Sequence, residues 1–223
     1  MRVRTVIFDL DGTLADTSAD LIASANACFR GLGYGDVLDP VADAKTAFRG
    51  GRAMLALGFG RVRPAFTQED VSAQYPVLLD AYSEAIDVHT RLYEGAAEAV
   101  EALRRDGYAV GVCTNKPEAL ADRLLVSLGI RDLFASMIGA QTVGVSKPDP
   151  KPYIAAVEEA GGVVAQSFIV GDTETDRKTA RAAGVPCALV TFGPDGSDVR
   201  DLAPEALLDH YRDLGRITKD LIG

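Results

Sequence analysis

The chain is poor in cysteine, in histidine and in long apolar stretches. Its three cysteines, Cys28, Cys113 and Cys187, are far apart and odd in number. That fits reduced thiols better than a disulfide framework and leaves no CxxC pair to hold a metal. Cys113 and Cys187 lie inside apolar runs and read as small core side chains. The two histidines, His89 and His210, carry no assigned role. No apolar run approaches the roughly 20 residues a membrane-spanning helix needs. The opening Met1-Arg2-Val3-Arg4 reaches Asp9 before a signal-peptide core forms, so the expectation is a cytoplasmic protein. Positive charge is scarce as well. Against 32 acidic residues stand 23 Lys and Arg, a net charge of −9, which argues against nucleic acid or an anionic membrane as partner. A small anion bound locally is compatible with that balance. Internal repeats and low-complexity segments are absent too.

What the chain does contain is 223 residues of ordinary globular composition, 48% hydrophobic and 25% charged, enough for one large domain or two modest ones. Short apolar runs at 3–8, 108–114, 135–140, 167–171 and 187–191 read as strands, and their unbroken hydrophobicity predicts a sheet covered on both faces. Helices are predicted between them: 96–105 before Gly107, one opening with Pro117 and closing before Gly129, one after Pro152 ended by Gly161-Gly162, and one from Thr173 to Gly184. This is an α/β pattern, a doubly wound parallel sheet of Rossmann-like type. Residues 16 to about 89 read as helices alone, with stripes Leu21, Ile22, Ala25, Cys28, Phe29 and Tyr75, Leu78, Leu79, Tyr82, Ile86. "TQED" at 67–70 is a capping-box start, and Asp16 with Thr17 and Ser18 marks the entry to the first of these helices. The expected domains are a discontinuous α/β core of 1–15 and 90–223 and an all-helical insert of 16–89.

In an open parallel sheet, loops and helix N-termini gather beyond the carboxyl ends of the strands. Four such ends carry polar residues here: Asp9 and Asp11 after the first, Thr114-Asn115 after the second, Ser146-Lys147-Pro148 after the third, and Asp172 with Asp176 after the fourth. Four carboxylates brought to one edge repel and need a divalent cation, and magnesium suits hard oxygen ligands beside a phosphate. Lys147 adds a point charge, Thr114 a hydroxyl, and the backbone around Leu10 to Gly12 and at Asn115 further donors, which together make a receptor for a phosphoryl group. A carboxylate can also attack phosphorus, dividing a slow hydrolysis into two easier steps.

The segments "DLDGTLADT", "TNK", "SKPDP" and "GDTETD" resemble, in order, the four motifs of the haloacid dehalogenase superfamily, and the helical insert resembles its alpha-helical cap. "DGTLADT", "FRGGRAMLALG" and "GDTETDRKTARAAGVP" resemble the phosphoglycolate phosphatase branch. The resemblance implies a magnesium-dependent phosphatase that acts on a small phosphorylated metabolite through an aspartyl-phosphate, with 2-phosphoglycolate as the expected substrate. It implies Asp9 as nucleophile and Asp11 as the acid that protonates the leaving alcohol and then activates water. Thr114, Asn115 and Lys147 are implied to bind the phosphoryl group. Asp9, the Asp11 carbonyl, Asp172 and Asp176 are implied to hold the metal.

Within the superfamily Asp11 argues against dehalogenation and phosphonate cleavage, which proceed without an acid/base aspartate there; Lys45 is the insert's single lysine, expected to balance Asp39 and Asp43 at the surface. A sugar-phosphate or nucleotide phosphatase and a β-phosphoglucomutase-like phosphomutase share the same core residues, and a phospho-accepting signalling domain is the reading from another class. Arg49, Gly50 and Arg52, in an expected loop with Gly51, are candidates to grip a second anionic group of the substrate, although "FRGG" stands where relatives commonly have glycine-histidine-glycine. The expected assembly is a monomer or homodimer.

Overall fold

The computed structural model describes residues 3–223. The chain forms two compact units, one made of the chain up to Ala15 and Leu92–Gly223, the other of Asp16–Arg91. No helix among the described residues is long and apolar enough to cross a membrane.

The first unit is built on a six-stranded sheet. Its strands are β1 (Val3–Phe8), β4 (Ala109–Pro117), β5 (Ser136–Ala140), β6 (Gly162–Gly171), β7 (Cys187–Val190) and β8 (Ala206–Leu208), ordered β5-β4-β1-β6-β7-β8. Two further short strands, β2 (Ala15–Asp16) and β3 (Arg91–Leu92), lie where the chain leaves and rejoins this unit. Every pairing in the six-stranded sheet is parallel. β1 is central, with Ile7 level with Gly111 of β4 and with Ile169 of β6. The chain winds outward on one side through β4 and β5, then returns to β6 on the other, so the strand order reverses beside β1. Ligand sites of open α/β sheets form at such a reversal.

Successive side chains of a strand face opposite ways, and both faces here are covered, which is why the strand sequences are apolar without alternation. Ile7, Cys113, Ile169, Cys187 and Leu189 pack with Tyr153, Ala156 and Val157 of α7 (Lys151–Glu159) and Ala180 of α8 (Glu174–Ala183). Val6, Phe8, Val112, Phe168 and Val190 are buried as completely. The remaining helices of this unit are α5 (Ala96–Arg105), α6 (Glu118–Ser127) and α9 (Leu214–Ile222). Two boundaries differ from the sequence expectation. β4 continues to Pro117, which ends the strand in an extended conformation (ψ 133°) and caps α6 from outside the helix. β6 starts at Gly162, because Gly161 alone, at φ 80°, turns the chain out of α7. β8 was not expected at all: "ALL" is too short to show a period.

The second unit contains α1 (Ser18–Gly31), α2 (Ala44–Ala47), α3 (Gly51–Val62) and α4 (Gln68–Glu84). Leu21, Ile22, Ala25, Cys28 and Phe29 of α1 are all buried, as are Leu78, Tyr82 and Ile86, while Tyr75 and Leu79 are half-buried. Phe29 meets Phe59 edge-on at 5.3 Å. Gly58 makes this possible, since a Cβ there would fall 2.2 Å from the Phe29 ring. Thr67 and Asp70 cap α4 reciprocally. Asp16 Oδ1 accepts from the Ser18 amide at 3.0 Å. The buried Asp20 carboxylate accepts from the amides of His89 and Thr90 and from the Thr90 hydroxyl, tying the first turn of α1 to the end of the unit. Asp43 is paired with Arg61 through two 2.7 Å hydrogen bonds that hold its carboxyl below the usual range.

Candidate active site

β1 delivers Asp9 to the reversal point. The Asp9 amide donates to the Val170 carbonyl at 2.9 Å, one residue beyond the last strand position, and Asp9 Oδ1 accepts from the Leu10 amide at 2.7 Å. The chain then turns tightly, the amides of Leu14 and Ala15 both donating to the Leu10 carbonyl. Lys147, in the loop between β5 and α7, places its ammonium 3.0 Å from Asp9 Oδ2 and 2.7 Å from Asp176 Oδ1. Asp172 follows β6, and its Oδ1 accepts from the Thr13 hydroxyl at 2.8 Å. Asp176 lies one turn on and accepts from the amides of Asp172 and Thr173, so it both starts α8 and joins the site. Asp9, Asp172 and Asp176 each present a carboxylate oxygen within 4.8 Å of the others.

The sequence expected a fourth carboxylate in this cluster. Asp11 is absent from it, because its Oδ1 is turned to the Lys116 ammonium at 2.8 Å. The metal role expected of Asp11 is that of its main-chain carbonyl, and the side-chain direction does not bear on it. The Thr114 hydroxyl is buried and accepts from the Lys116 amide at 3.1 Å, which leaves its own proton for another acceptor. Asn115 acts through Lys147: its side-chain amide donates to the Lys147 carbonyl and accepts from the Lys147 amide, both at 2.9 Å, fixing the loop that carries the ammonium. The expected loop around Arg49, Gly50 and Arg52 is shorter than predicted. Gly50, at φ 93°, precedes α3, and Gly51 and Arg52 are already helical. The Arg52 guanidinium lies over the Tyr75 ring at 4.5 Å and donates to the Ser72 hydroxyl, whereas Arg49 is exposed in the turn before α3.

Geometry of this kind has relatives. The family model described as haloacid dehalogenase-like hydrolase matches residues 6–190. The chain belongs to that family. A curated relative named phosphoglycolate phosphatase, from Mesorhizobium japonicum, is 34% identical over 206 residues, covering 92% of this chain and 90% of its own. Another of the same name, from Agrobacterium fabrum, is 35% identical over 210 residues, covering 92% and 88%. The crystal structure of a predicted phosphoglycolate phosphatase from Haemophilus somnus superposes with a TM-score of 0.85 at 26% identity, covering 98% of this chain and 99% of that one.

In this haloacid dehalogenase-like hydrolase the acidic cluster is electrostatically unfinished. Burial pushes Asp9 up to about 6, with Lys147 opposing and Asp176 and Asp11 adding to the rise. Burial, then Asp176 and Asp9, raise Asp172 well above the carboxylate range. Burial works against the charge of Lys147, but Asp176 and Asp9 beside it lift its pKa above that of an ordinary lysine. Most telling is Asp172 Oδ2, which is fully buried and has no hydrogen-bond partner. A buried carboxylate oxygen left unpaired is costly, and an oxygen-seeking divalent cation among Asp9, Asp172 and Asp176 removes that cost. The residues fit such an ion.

Three contacts here had little local signal. Lys116 stands inside "TNK", and its partner Asp11 is 105 positions away. The Thr13–Asp172 bond spans 159 positions, and the bond from the Tyr211 hydroxyl to the Thr13 carbonyl, 2.7 Å long, spans 198. Glycine is required at position 12 on two counts. Its φ is 81°, and a Cβ there would come within 2.4 Å of Asp172 Oδ2. Gly12→Ala is therefore expected to displace Asp172, at a backbone cost of about 1–2 kcal/mol. Metal affinity measured by calorimetry should fall at least about tenfold; unchanged affinity would separate Gly12 from the acidic cluster.

Proposed function

We propose that the chain is a magnesium-dependent phosphatase that hydrolyses 2-phosphoglycolate through a phosphoryl group carried on Asp9. The observation that carries this reading is the environment of Asp9: a carboxylate at the reversal point of a parallel sheet, paired with a buried lysine and facing two further buried carboxylates. The curated relatives' shared name supports the choice of substrate.

In this account an Asp9 carboxylate oxygen attacks phosphorus while the bond from phosphorus to the ester oxygen breaks. The electron pair goes to the leaving oxygen, which takes a proton from Asp11. Water then attacks the phosphorus of the aspartyl-phosphate, giving its proton to Asp11 as the bond from phosphorus to Asp9 breaks and inorganic phosphate departs. Lys147 neutralises phosphoryl oxygens and keeps Asp9 charged, and Thr114 and the Asn115 main chain donate to the same oxygens. Asn115 also sets the position of Lys147. Asp9, the Asp11 carbonyl and Asp172 would hold magnesium, with Asp176 supporting them. When bound, the ion supplies positive charge against the oxygens of the transferring group. The helical unit, residues 16–91, is read as the substrate-discriminating cap.

A panel of phosphorylated metabolites assayed with magnesium tests the substrate, with the highest kcat/KM expected for 2-phosphoglycolate. A sugar phosphate or nucleotide preferred over it would replace that choice and leave the chemistry standing. EDTA should abolish turnover and added magnesium restore it. Full activity after exhaustive chelation would contradict the role given to the acidic cluster.

A further inference from the structure

Lys116 is the second lysine at this sheet edge. It is 8% exposed, its ammonium faces the Asp11 carboxylate at 2.8 Å, and the side chain projects from the same strand end that carries Thr114. Lysines are rarely buried without a task. The two lysines divide the site between them, Lys147 on the nucleophile Asp9 and Lys116 on Asp11.

We infer that Lys116 is the specificity-determining residue that receives a carboxylate on the leaving alcohol, so that the preferred substrates are phosphate esters of α-hydroxycarboxylic acids. The inference rests on the phosphatase reading and on the role that reading gives Asp11. To protonate the leaving oxygen, Asp11 must lie about 3 Å from it. An ammonium in hydrogen-bond contact with Asp11 is then in the next ring around that oxygen. In an ester of an α-hydroxy acid, the carboxylate carbon is two bonds from the ester oxygen and so falls in that ring. A lysine ammonium has three donors and can keep Asp11 while donating to a second carboxylate. A neutral substituent in the same place offers it no charge. This assigns recognition of the second anionic group to the sheet edge rather than to Arg52, whose guanidinium is already held by Tyr75 and Ser72.

The test compares 2-phosphoglycolate with 2-hydroxyethyl phosphate, in which an alcohol replaces the carboxylate, using the wild-type chain and Lys116→Met with magnesium. Wild type should favour 2-phosphoglycolate by about 10- to 100-fold in kcat/KM, the range for a hydrogen bond between charged groups. Lys116→Met should reduce that ratio by about tenfold or more, chiefly through KM for 2-phosphoglycolate. Equal losses on the two esters would make Lys116 only a positioning residue for Asp11, and no loss on either would make it irrelevant; both overturn the inference. If the variant does not fold, the wild-type ratio decides, and a value near one overturns it. Wild type that cleaves both esters equally refutes the inference and leaves the phosphatase reading intact. Wild type that cleaves neither refutes that reading.

Discussion

Asp9→Asn is expected to lose at least about 10⁴-fold in kcat, roughly 5 kcal/mol of transition-state stabilisation, without loss of fold. The amide is nearly isosteric but has no anionic oxygen to attack phosphorus, and Lys147 keeps Asp176 as a partner. Stability should move the other way. The folded pKa of Asp9 lies near 6, above the unfolded carboxylate value, chiefly through burial. Above that pH its charge therefore works against the folded state in metal-free buffer. Asn removes the charge, so the urea midpoint at pH 8 without metal should be unchanged or higher. A variant that turns over at the wild-type rate would remove Asp9 from the mechanism. One that is inactive because it is unfolded would make the residue structural.

Lys147→Met should damage both activity and fold. Wild-type Lys147 has a folded pKa above the unfolded lysine value, so its contribution is fully present throughout the neutral range and is lost only as pH rises through that folded value. Removing the ammonium leaves Asp9 and Asp176 buried together without a counter-charge. Breaking a buried pair in this way costs about 3 kcal/mol or more, read as a lower urea midpoint at pH 8. The deficit should narrow toward pH 5 in metal-free buffer, where Asp9, poised near 6, takes up a proton. A drop of at least about 10³-fold in kcat/KM is expected alongside, because two charge-assisted contacts, to the nucleophile and to the phosphoryl group, are lost together. A variant as stable as wild type at both pH values would show that the carboxylates do not depend on Lys147.

The parallel sheet was legible because its strands are apolar throughout and end abruptly in polar residues. Phe8 is followed by Asp9, Cys113 by Thr114, and Gly171 by Asp172, and the structure brings these ends to one edge. Helix limits set by local chemistry were legible too, as with the Thr67–Asp70 capping box and Gly184 at the end of α8. What the sequence did not reveal depends on distant partners or on very short elements. β8 pairs three residues at the sheet margin. Thr13 and Tyr211 find their partners across most of the chain. The direction of Asp11 was missed because a carboxylate's orientation follows the nearest cation in space, and Lys116 is distant in sequence. Arg52 was expected in a loop, as a candidate to grip a substrate anion, whereas α3 has already begun there and sets it on Tyr75.

The most direct test of the account is chemical quench of the magnesium-loaded enzyme during turnover of 2-phosphoglycolate, followed by peptide mass spectrometry of the acid-stabilised protein. The account predicts one phosphoryl group on the peptide containing Asp9, formed and lost at rates compatible with turnover and absent from Asp9→Asn. Turnover with no phosphorylated aspartate at any time, or with the phosphoryl group on another residue, would contradict it.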